Sequence, residues 1–347
     1  IRRWMENNNI KGTVRLYGTP AEEGGSGKVY LVRAGLFEDV DTALHWHPSD
    51  RNSANAETSL ANKSARFKFR GISSHAAAAP ERGRSALDGV EAMNYMINMM
   101  REHVPQETRI HYVITQGGEA PNVVPNFAEV YYYVRHPQAE ELQELWERVT
   151  DISQAAALGT GTVVEVEVMH GNHSLLPNEK LSRQMHANLT RLGGIRYNAE
   201  EQASAEEISS SLGVGDFVGM EKEILRFELR QGMGSTDVGD VSWVVPTVGL
   251  RTSTWVPGTA SHSWQAIAAG GTSIGTKGMR LAAKALSLTA RDLFLNPKLI
   301  EAGRAEFELR RGENFRYKAL LGNREPPLAY RINQVCIDVR QHSSRRG

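Results

Sequence analysis

Two adjacent carboxylates, Glu22 and Glu23, are the residues of this sequence best suited to do chemistry. They lie in the stretch GTPAEEGGSGK, residues 18–28. Neighbouring carboxylates repel each other unless a positive charge lies beside them, and a metal ion with a reacting water would supply that charge. The two glycines that follow would let the backbone approach a ligand closely. The alternative is a solvated acidic turn, which is the commoner explanation for such a pair on its own.

Two histidines, His45 and His47, flank Trp46 at the end of a predicted strand, residues 42–47. Alternation along a strand places both imidazoles on one face. Imidazole is a standard ligand for zinc and related ions, and ligands of open α/β sheets gather at the carboxyl ends of strands. The sequence therefore favours a metal site here. A histidine satisfied within the core or at a sheet edge is the alternative.

Six further polar residues have ordinary explanations when each is taken alone: His75, Asn122, Arg135, Asp237, Asp240 and His262. They would be loop histidines, a turn former, a surface charge at a strand end, and acidic residues that cap a helix or shape a turn. His262, in GTASHSWQ, becomes informative only as a partner, because metal sites assemble ligands that are distant in sequence.

Length and composition restrict the class of protein. The chain has 347 residues, with 40 basic and 40 acidic side chains. That length predicts two domains, or one large domain with an insertion. Neutrality gives no support to nucleic acid or an anionic membrane as a partner. The single cysteine, Cys336, excludes an internal disulfide framework and fits a reducing compartment, so we expect a cytoplasmic protein.

Hydrophobic periodicity predicts two kinds of segment. Strand, helix and strand at 13–17, 27–36 and 42–47 are typical of an α/β domain, and that character returns with a helix at 179–192, a strand at 247–250 and a helix at 277–294. Between them lie the strands 64–72, 109–115, 128–134 and 162–169 and the helices 84–103 and 140–157. Their β-α-β-β-α-β order is ferredoxin-like, which predicts a compact inserted domain.

Six stretches in chain order together resemble the di-metal aminoacylase and carboxypeptidase family, most strongly its hydrolases of p-aminobenzoyl-glutamate. They are PAEEGGSGK, ALHWHP, GISSHAAAAPERGRSALDG, PNVVPN, STDVGDVSW and HSWQ. Each is weak alone, whereas the ordered set is highly specific. The resemblance implies a parallel-sheet, zinc-peptidase-like catalytic domain of 1–63 and 172–330, with an inserted α+β lid and dimerisation domain of 64–171.

The resemblance also implies roles by position. Glu22 would be the general base, while Glu23 and His262 would bind metal. His47, directly before Pro48, would be a further ligand, although the Leu-His-x-x-Pro pattern of other members points to His45 instead. The cofactors would be two divalent ions, Zn or Mn.

The remaining roles fall on the inserted domain. His75 would stabilise the oxyanion, reaching it across a homodimer, and Asn122 and Arg135 would hold the substrate's carbonyl and carboxylate. The implied reaction is hydrolysis of the amide bond of N-acyl or aryl amino acids, such as p-aminobenzoyl-glutamate, or of related dipeptides. A second, related type of subunit is a further expected partner.

Two departures from the family qualify that expectation. The family has an upstream segment carrying a metal-binding histidine and a Cys or Asp ligand, and no such segment precedes Ile1, so we expect an N-terminally truncated chain. The tail 331–347 does not resemble the family's ending. The alternative function is a catalytically incomplete fragment or ligand-binding scaffold.

Overall fold

The structure is a computed structural model that describes residues 1–213, 215 and 217–328. The predicted atypical tail, 331–347 with Cys336, lies outside the described residues.

The helices are α1 (Arg2–Asn7), α2 (Glu22–Gly25), α3 (Gly27–Arg33), α4 (Ala86–Met100), α5 (Ala139–Thr160), α6 (Glu179–Leu192), α7 (Ala199–Ser210), α8 (Val238–Ser242), α9 (Trp264–Gly270), α10 (Ser273–Leu295) and α11 (Pro297–Arg311). The strands are β1 (Ala43–Ser49), β2 (Ala56–Thr58), β3 (Ala61–Arg70), β4 (Arg109–Gln116), β5 (Phe127–His136), β6 (Val163–Asn172), β7 (Leu229–Gln231) and β8 (Thr247–Ser253).

Strands far apart in sequence form the parallel part of the fold. β1 pairs in parallel with β8, with His45 opposite Gly249 and His47 opposite Arg251. Leu181 and Met185 of α6, and Leu281 of α10, pack against this pair because their helical spacing puts apolar side chains on one stripe. β2 and β7 form a second parallel pair.

The inserted segment forms an antiparallel sheet in the order β4-β5-β3-β6, which we call the lid sheet. Its elements confirm the predicted β-α-β-β-α-β order. One face packs on α4 and α5, where Phe67, Tyr132 and Trp146 belong to a buried core. Alternation along the strands leaves the opposite side chains on a second face, which we call the polar face.

The polar face carries two rows of side chains that cross the lid sheet in register. The first polar row is Arg109, Arg135, Asn62 and Asn172. The second polar row is His111, Tyr133, Ser64 and His170. Directly opposed residues lie roughly 5 Å apart at Cβ, so each row is a continuous strip of polar groups.

The predicted strand at 13–17 is wrong. Residues 11–20 have no regular secondary structure, and Leu16 is 99% exposed. A β-strand needs a neighbour to pair its backbone groups, and no strand in the described part of the chain pairs with this segment. Its apolar alternation therefore indicated a strand that does not form.

Most other predicted elements are confirmed, with shifted ends. The helix at 179–192 has the predicted bounds. The strand predicted to end at Pro48 continues to Ser49, with Pro48 opposite Thr252. Residues 200–233, which gave no clear pattern, contain most of α7 and all of β7. A capping box between Asn198 and Glu201 starts α7, and this local signal was available in the sequence.

Candidate functional site

The Glu22–Gly25 turn is held in an unusual backbone conformation. Ala21 and Ser26, which flank it, both have left-handed torsions, with φ of 60° and 54°. Gly24 has a φ of 73°, which glycine adopts without a steric penalty. Left-handed non-glycine residues are strained and persist only where their surroundings fix them, often at functional sites. The turn projects Glu22, which is partly buried, and Glu23, which is exposed.

Two buried contacts fix the residues that follow this turn. The hydroxyl of Ser26 lies 2.5 Å from Nδ1 of His170, on the second polar row of the lid sheet. The backbone N–H and Nζ of Lys28 donate to the two carboxylate oxygens of Asp237, at 2.8 and 2.9 Å. These contacts join the turn to the lid sheet on one side and to the start of α8 on the other.

Glu23 and His262 come together although they lie near opposite ends of the sequence. Nε2 of His262 lies 3.9 Å from Oε1 of Glu23, and the side chains are 76% and 79% exposed. His262 also has a left-handed backbone, with a φ of 60°. A carboxylate and an imidazole at this separation are a donor pair suited to zinc or manganese.

The two histidines of β1 have different environments. The ring of His45 covers Gly249, where an added Cβ would lie 2.2 Å from Nε2. Burial lowers the pKa of His45 to about 3, with His47 and Arg251 as smaller causes. His47 is exposed, and its Nδ1 lies 2.6 Å from the carbonyl oxygen of Pro48. That hydrogen bond puts the proton on Nδ1, which leaves Nε2 of His47 free to bind a metal.

The polar face of the lid sheet approaches the Glu22–Gly25 turn. A Cβ added to Gly24 would lie 3.7 Å from the hydroxyl of Tyr133. Tyr133 also receives a hydrogen bond from Tyr131, and burial is the main cause that raises its pKa to about 12. Arg135 lies over the ring of Tyr133, 5.4 Å from its centroid. Tyr133 and Arg135 therefore belong to the same region of space as the two glutamates.

His75 and Asn122 lie together, but at the other end of the lid sheet. The N–H of Ala76 donates to the carbonyl oxygen of Asn122, and His75 bridges Val123. Arg70 pairs with Phe127 at this end, whereas Arg135 pairs with Asn62 at the end near the glutamates. Eight residues separate Phe127 from Arg135, which is about 27 Å of extended strand. One protomer therefore does not bring all seven predicted residues together.

The ring of His75 has a defined tautomer. Nδ1 accepts hydrogen bonds from the N–H groups of Ala77 and Ala78, at 3.2 and 3.1 Å. In a neutral imidazole the proton is then on Nε2, which is exposed as a hydrogen-bond donor. This side chain could donate to a developing negative charge on a ligand.

The two aspartates expected to cap a helix or shape a turn are both fully buried. Asp237 precedes α8 but makes no side-chain capping bond, since its carboxylate binds Lys28. Asp240 accepts hydrogen bonds from the N–H of His173 and the hydroxyl of Tyr317, at 3.0 and 2.7 Å. Burial nevertheless raises the pKa of Asp240 to about 6. Both carboxylates bind groups inside the protein.

Sequence reasoning missed four residues that support the turn: Ser26, Lys28, Tyr133 and His170. Ser26 and Lys28 follow the glutamates in the same motif. Tyr133 shares a strand face with Arg135, which alternation could have indicated. No local signal pointed to His170, because it reaches Ser26 only through the pairing of β6 with β3.

The donor chemistry fits a divalent metal in part. Glu23 and His262 converge, and His47 presents a free nitrogen. Within residues 1–213, 215 and 217–328, however, no group of three or more His, Cys, Asp or Glu side chains is placed to hold one ion. In the same residues no helix has the length and apolar character needed to cross a bilayer.

Comparison with known proteins gives consistent matches. Residues 61–160 match the peptidase dimerisation domain of the M20 group. The chain is 39% identical to one of the two kinds of p-aminobenzoyl-glutamate hydrolase chain of Escherichia coli, over 89% of this chain and 70% of that protein. It is 33% identical to the Xaa-Arg dipeptidase of Mus musculus, over 85% of this chain and 62% of the dipeptidase.

A solved structure shares the fold. The aminobenzoyl-glutamate utilization protein of Klebsiella pneumoniae matches with a TM-score of 0.58 at 19% identity, over 82% of this chain and 63% of that chain. The α/β architecture with an α+β insertion is thus common to both. Sequence identity, the matched dimerisation domain and the shared fold agree: the chain belongs to the M20 family of peptidases and amidohydrolases.

Proposed function

We propose that this chain carries out metal-dependent hydrolysis of an amide bond in N-acyl amino acids or dipeptides. The observation that carries the proposal is the convergence of Glu23 and His262, 3.9 Å apart, beside Glu22 and beneath the polar face of the lid sheet. Relatives of this chain are named for such reactions, on p-aminobenzoyl-glutamate and on Xaa-Arg dipeptides.

Two divalent ions, Zn or Mn, would be held by Glu23, His262 and His47 together with further ligands. When bound, they supply Lewis acidity toward the substrate carbonyl and the attacking water. Glu22 stands next to Glu23 on the strained turn. It would accept the proton of the attacking water and deliver it to the leaving amine.

Arg135 would bind the carboxylate of the substrate. Its guanidinium is a planar fork that matches a carboxylate with two parallel hydrogen bonds. Nε of Arg135 is buried and has no hydrogen-bond partner, which is a cost that a bound carboxylate would remove. Tyr133, between Arg135 and Gly24, would form the wall of the same site.

His75 and Asn122 would act on the substrate bound by a second copy of this chain. Their distance from Arg135 along the lid sheet, about 27 Å, exceeds the size of an acyl amino acid. Nε2–H of His75 would donate to the oxyanion, and the amide of Asn122 to the carbonyl region. This arrangement requires a homodimer.

The exposed edge of the lid sheet supports such a dimer. β4 is an edge strand, and it exposes the apolar side chains of Tyr112, Val113 and Ile114. Unpaired edges with apolar side chains tend to pair with another chain. Tyr95 and Met99 of the adjacent α4 are also exposed, which extends the apolar surface.

The second candidate function is a binding scaffold that holds an acyl amino acid without cleaving it. The specific observation in its favour is that only two of the proposed ligands converge among the residues that the structure describes. For either function we propose a cytoplasmic location, which the single cysteine fits. A second, related type of subunit is a further proposed partner.

Metal content measured together with hydrolysis tests the two functions. The enzyme proposal predicts bound Zn or Mn and release of glutamate from p-aminobenzoyl-glutamate. Glu22→Gln should keep the metal and lose turnover, whereas Glu23→Gln should lose both. Binding of the acyl amino acid without turnover, whether or not Glu22 is present, would support the scaffold.

A further inference from the structure

Arg109 stands beside Arg135 on the lid sheet without an anionic partner. The two arginines are directly opposite each other on β4 and β5, at the end of the first polar row. Like charges in direct cross-strand contact are unfavourable unless something negative lies between them. In the described part of the chain, neither arginine forms an ion pair with an acidic side chain. The pair therefore leaves two positive charges uncompensated on one face.

The guanidinium of Arg109 is fixed by the backbone. Its Nη1 donates to the carbonyl oxygens of Gln106 and Thr108, each at 2.8 Å. These bonds hold the side chain in place while its remaining N–H groups stay available. A guanidinium that is already ordered loses less entropy when it binds a carboxylate.

The amide of Asn62 extends the same polar row. Asn62 lies opposite Arg135 on β3 and is only 1% exposed, yet its Oδ1 has no hydrogen-bond partner. An unpaired buried polar atom is costly, which indicates a partner supplied from outside the row.

A cavity of about 410 Å³ opens next to Arg109. Leu60, Met233 and Gln231 line it together with Arg109, and Glu107 is the acidic residue in the lining. Glu107 is exposed and does not pair with Arg109 in the structure. The space is sufficient for a short side chain with a charged end beside the two arginines.

We propose that Arg109 binds a second carboxylate, so that the amino acid held at Arg135 is an acidic one, of the glutamate type. This inference rests on the proposed function and makes it more specific. The two named relatives differ on this point, since one is named for a glutamate conjugate and the other for dipeptides ending in arginine. Two unpaired arginines side by side repel an arginine side chain and attract a dicarboxylate.

A matched substrate pair tests the inference on the unmodified protein. p-Aminobenzoyl-glutamate and p-aminobenzoyl-glutamine have nearly the same shape and differ by one negative charge. We expect kcat/KM to favour the glutamate conjugate by roughly tenfold to a hundredfold, the range of one charge-assisted hydrogen bond. Equal kcat/KM for the two, or a preference for an arginine conjugate, would overturn the inference.

Variants then assign the preference to one residue. Arg109→Gln should reduce the ratio of the two kcat/KM values to about one by slowing the glutamate conjugate alone, and Arg109→Lys should restore part of the ratio. Arg148→Gln is the matched control. Arg148 is also exposed and also donates to a backbone carbonyl, that of His103, but it lies on α5, away from the polar face. A ratio that Arg109→Gln leaves unchanged would contradict the assignment.

Direct binding separates this inference from the proposed function. If no preparation hydrolyses either conjugate, titration with glutarate and with its monoamide measures the second carboxylate site without turnover. Tighter binding of glutarate that disappears in Arg109→Gln supports the site even though the hydrolase proposal fails. Equal binding of the two ligands by the unmodified protein rejects the site.

Discussion

Lys28 binds the buried carboxylate of Asp237 with two different groups, its backbone N–H at 2.8 Å and its ammonium at 2.9 Å. The first bond fixes the main chain two residues after Ser26, and the second neutralises a fully buried charge. The pair thus connects the Glu22–Gly25 turn with the start of α8. Neither bond involves the helix capping that the position of Asp237 suggested.

Removal of one partner should be strongly destabilising. In Lys28→Met the carboxylate of Asp237 stays buried without its counter-charge. We expect a loss of about 3–5 kcal/mol in the free energy of unfolding, the usual effect of breaking a buried ion pair on one side. Urea unfolding of the variant and of the unmodified protein measures the difference.

An exposed ion pair is the control for this measurement. Arg2 and Glu6 form an i,i+4 pair on α1 with both side chains exposed, so Arg2→Gln should leave the urea midpoint nearly unchanged. The double variant Lys28→Met/Asp237→Leu should recover part of the loss, because it leaves no unpaired charge. Equal losses in the single and double variants would show that the charge is not the cause.

The sequence predicted local elements better than it predicted their assembly. The helix at 179–192 and the order of the lid elements followed from periodicity, because that signal is contained in neighbouring residues. The strand at 13–17 failed because pairing depends on another strand. Glu23 and His262 were both named from motifs, whereas Ser26 and His170 meet only through the pairing of β6 with β3. His75 and Arg135 were expected at one site, and the register of β3 with β5 puts them at opposite ends.

His170 should make the protein sensitive to acid. Burial is the main cause that lowers its pKa from 6.5 to about 4. As pH falls below 6.5, the unfolded chain takes up a proton that the folded protein does not. Stability is therefore lost between pH 6.5 and about 4, by up to roughly 3 kcal/mol. His170→Gln, which cannot be protonated, should show a shallower loss in that range.

The test is the difference between two stability profiles measured by urea unfolding from pH 4 to 7. Asp240 acts in the opposite direction. Its pKa is raised from 3.8 to about 6, so its ionisation in the folded state costs stability as pH rises through that range. It is present in both proteins and cancels in the comparison. Parallel profiles would mean that His170 does not contribute to the acid loss.

A charge on the edge of the lid sheet should weaken the proposed dimer. Val113 of β4 is 56% exposed at this edge, and Val113→Lys would place an unpaired ammonium in the contact. We expect the dimer dissociation constant from sedimentation to rise at least roughly tenfold, with the thermal midpoint little changed. Val163→Lys is the control, since Val163 is 70% exposed on β6, the opposite edge strand. An effect of Val163→Lys alone would place the contact at the other edge.

Mixed dimers should test whether His75 acts on the site of the other protomer. Glu22→Gln and His75→Ala are each expected to be inactive as homodimers. When equal amounts exchange protomers, half of the dimers combine the two variants. If His75 acts across the dimer, each mixed dimer has one site with an intact Glu22 and an intact partner His75. Activity should then recover to about a quarter of the unmodified level.

The control combines two residues that lie at the same site of one protomer. Glu22→Gln mixed with His262→Ala should give no recovery, because each protomer then lacks one group of its own site. Protomer exchange is verified by mass spectrometry of differently tagged chains. If His75 acts within its own protomer, no mixed dimer contains a complete site and Glu22→Gln with His75→Ala stays inactive. Recovery in that mixture and its absence in the control would together require that the site is built from two copies of the chain.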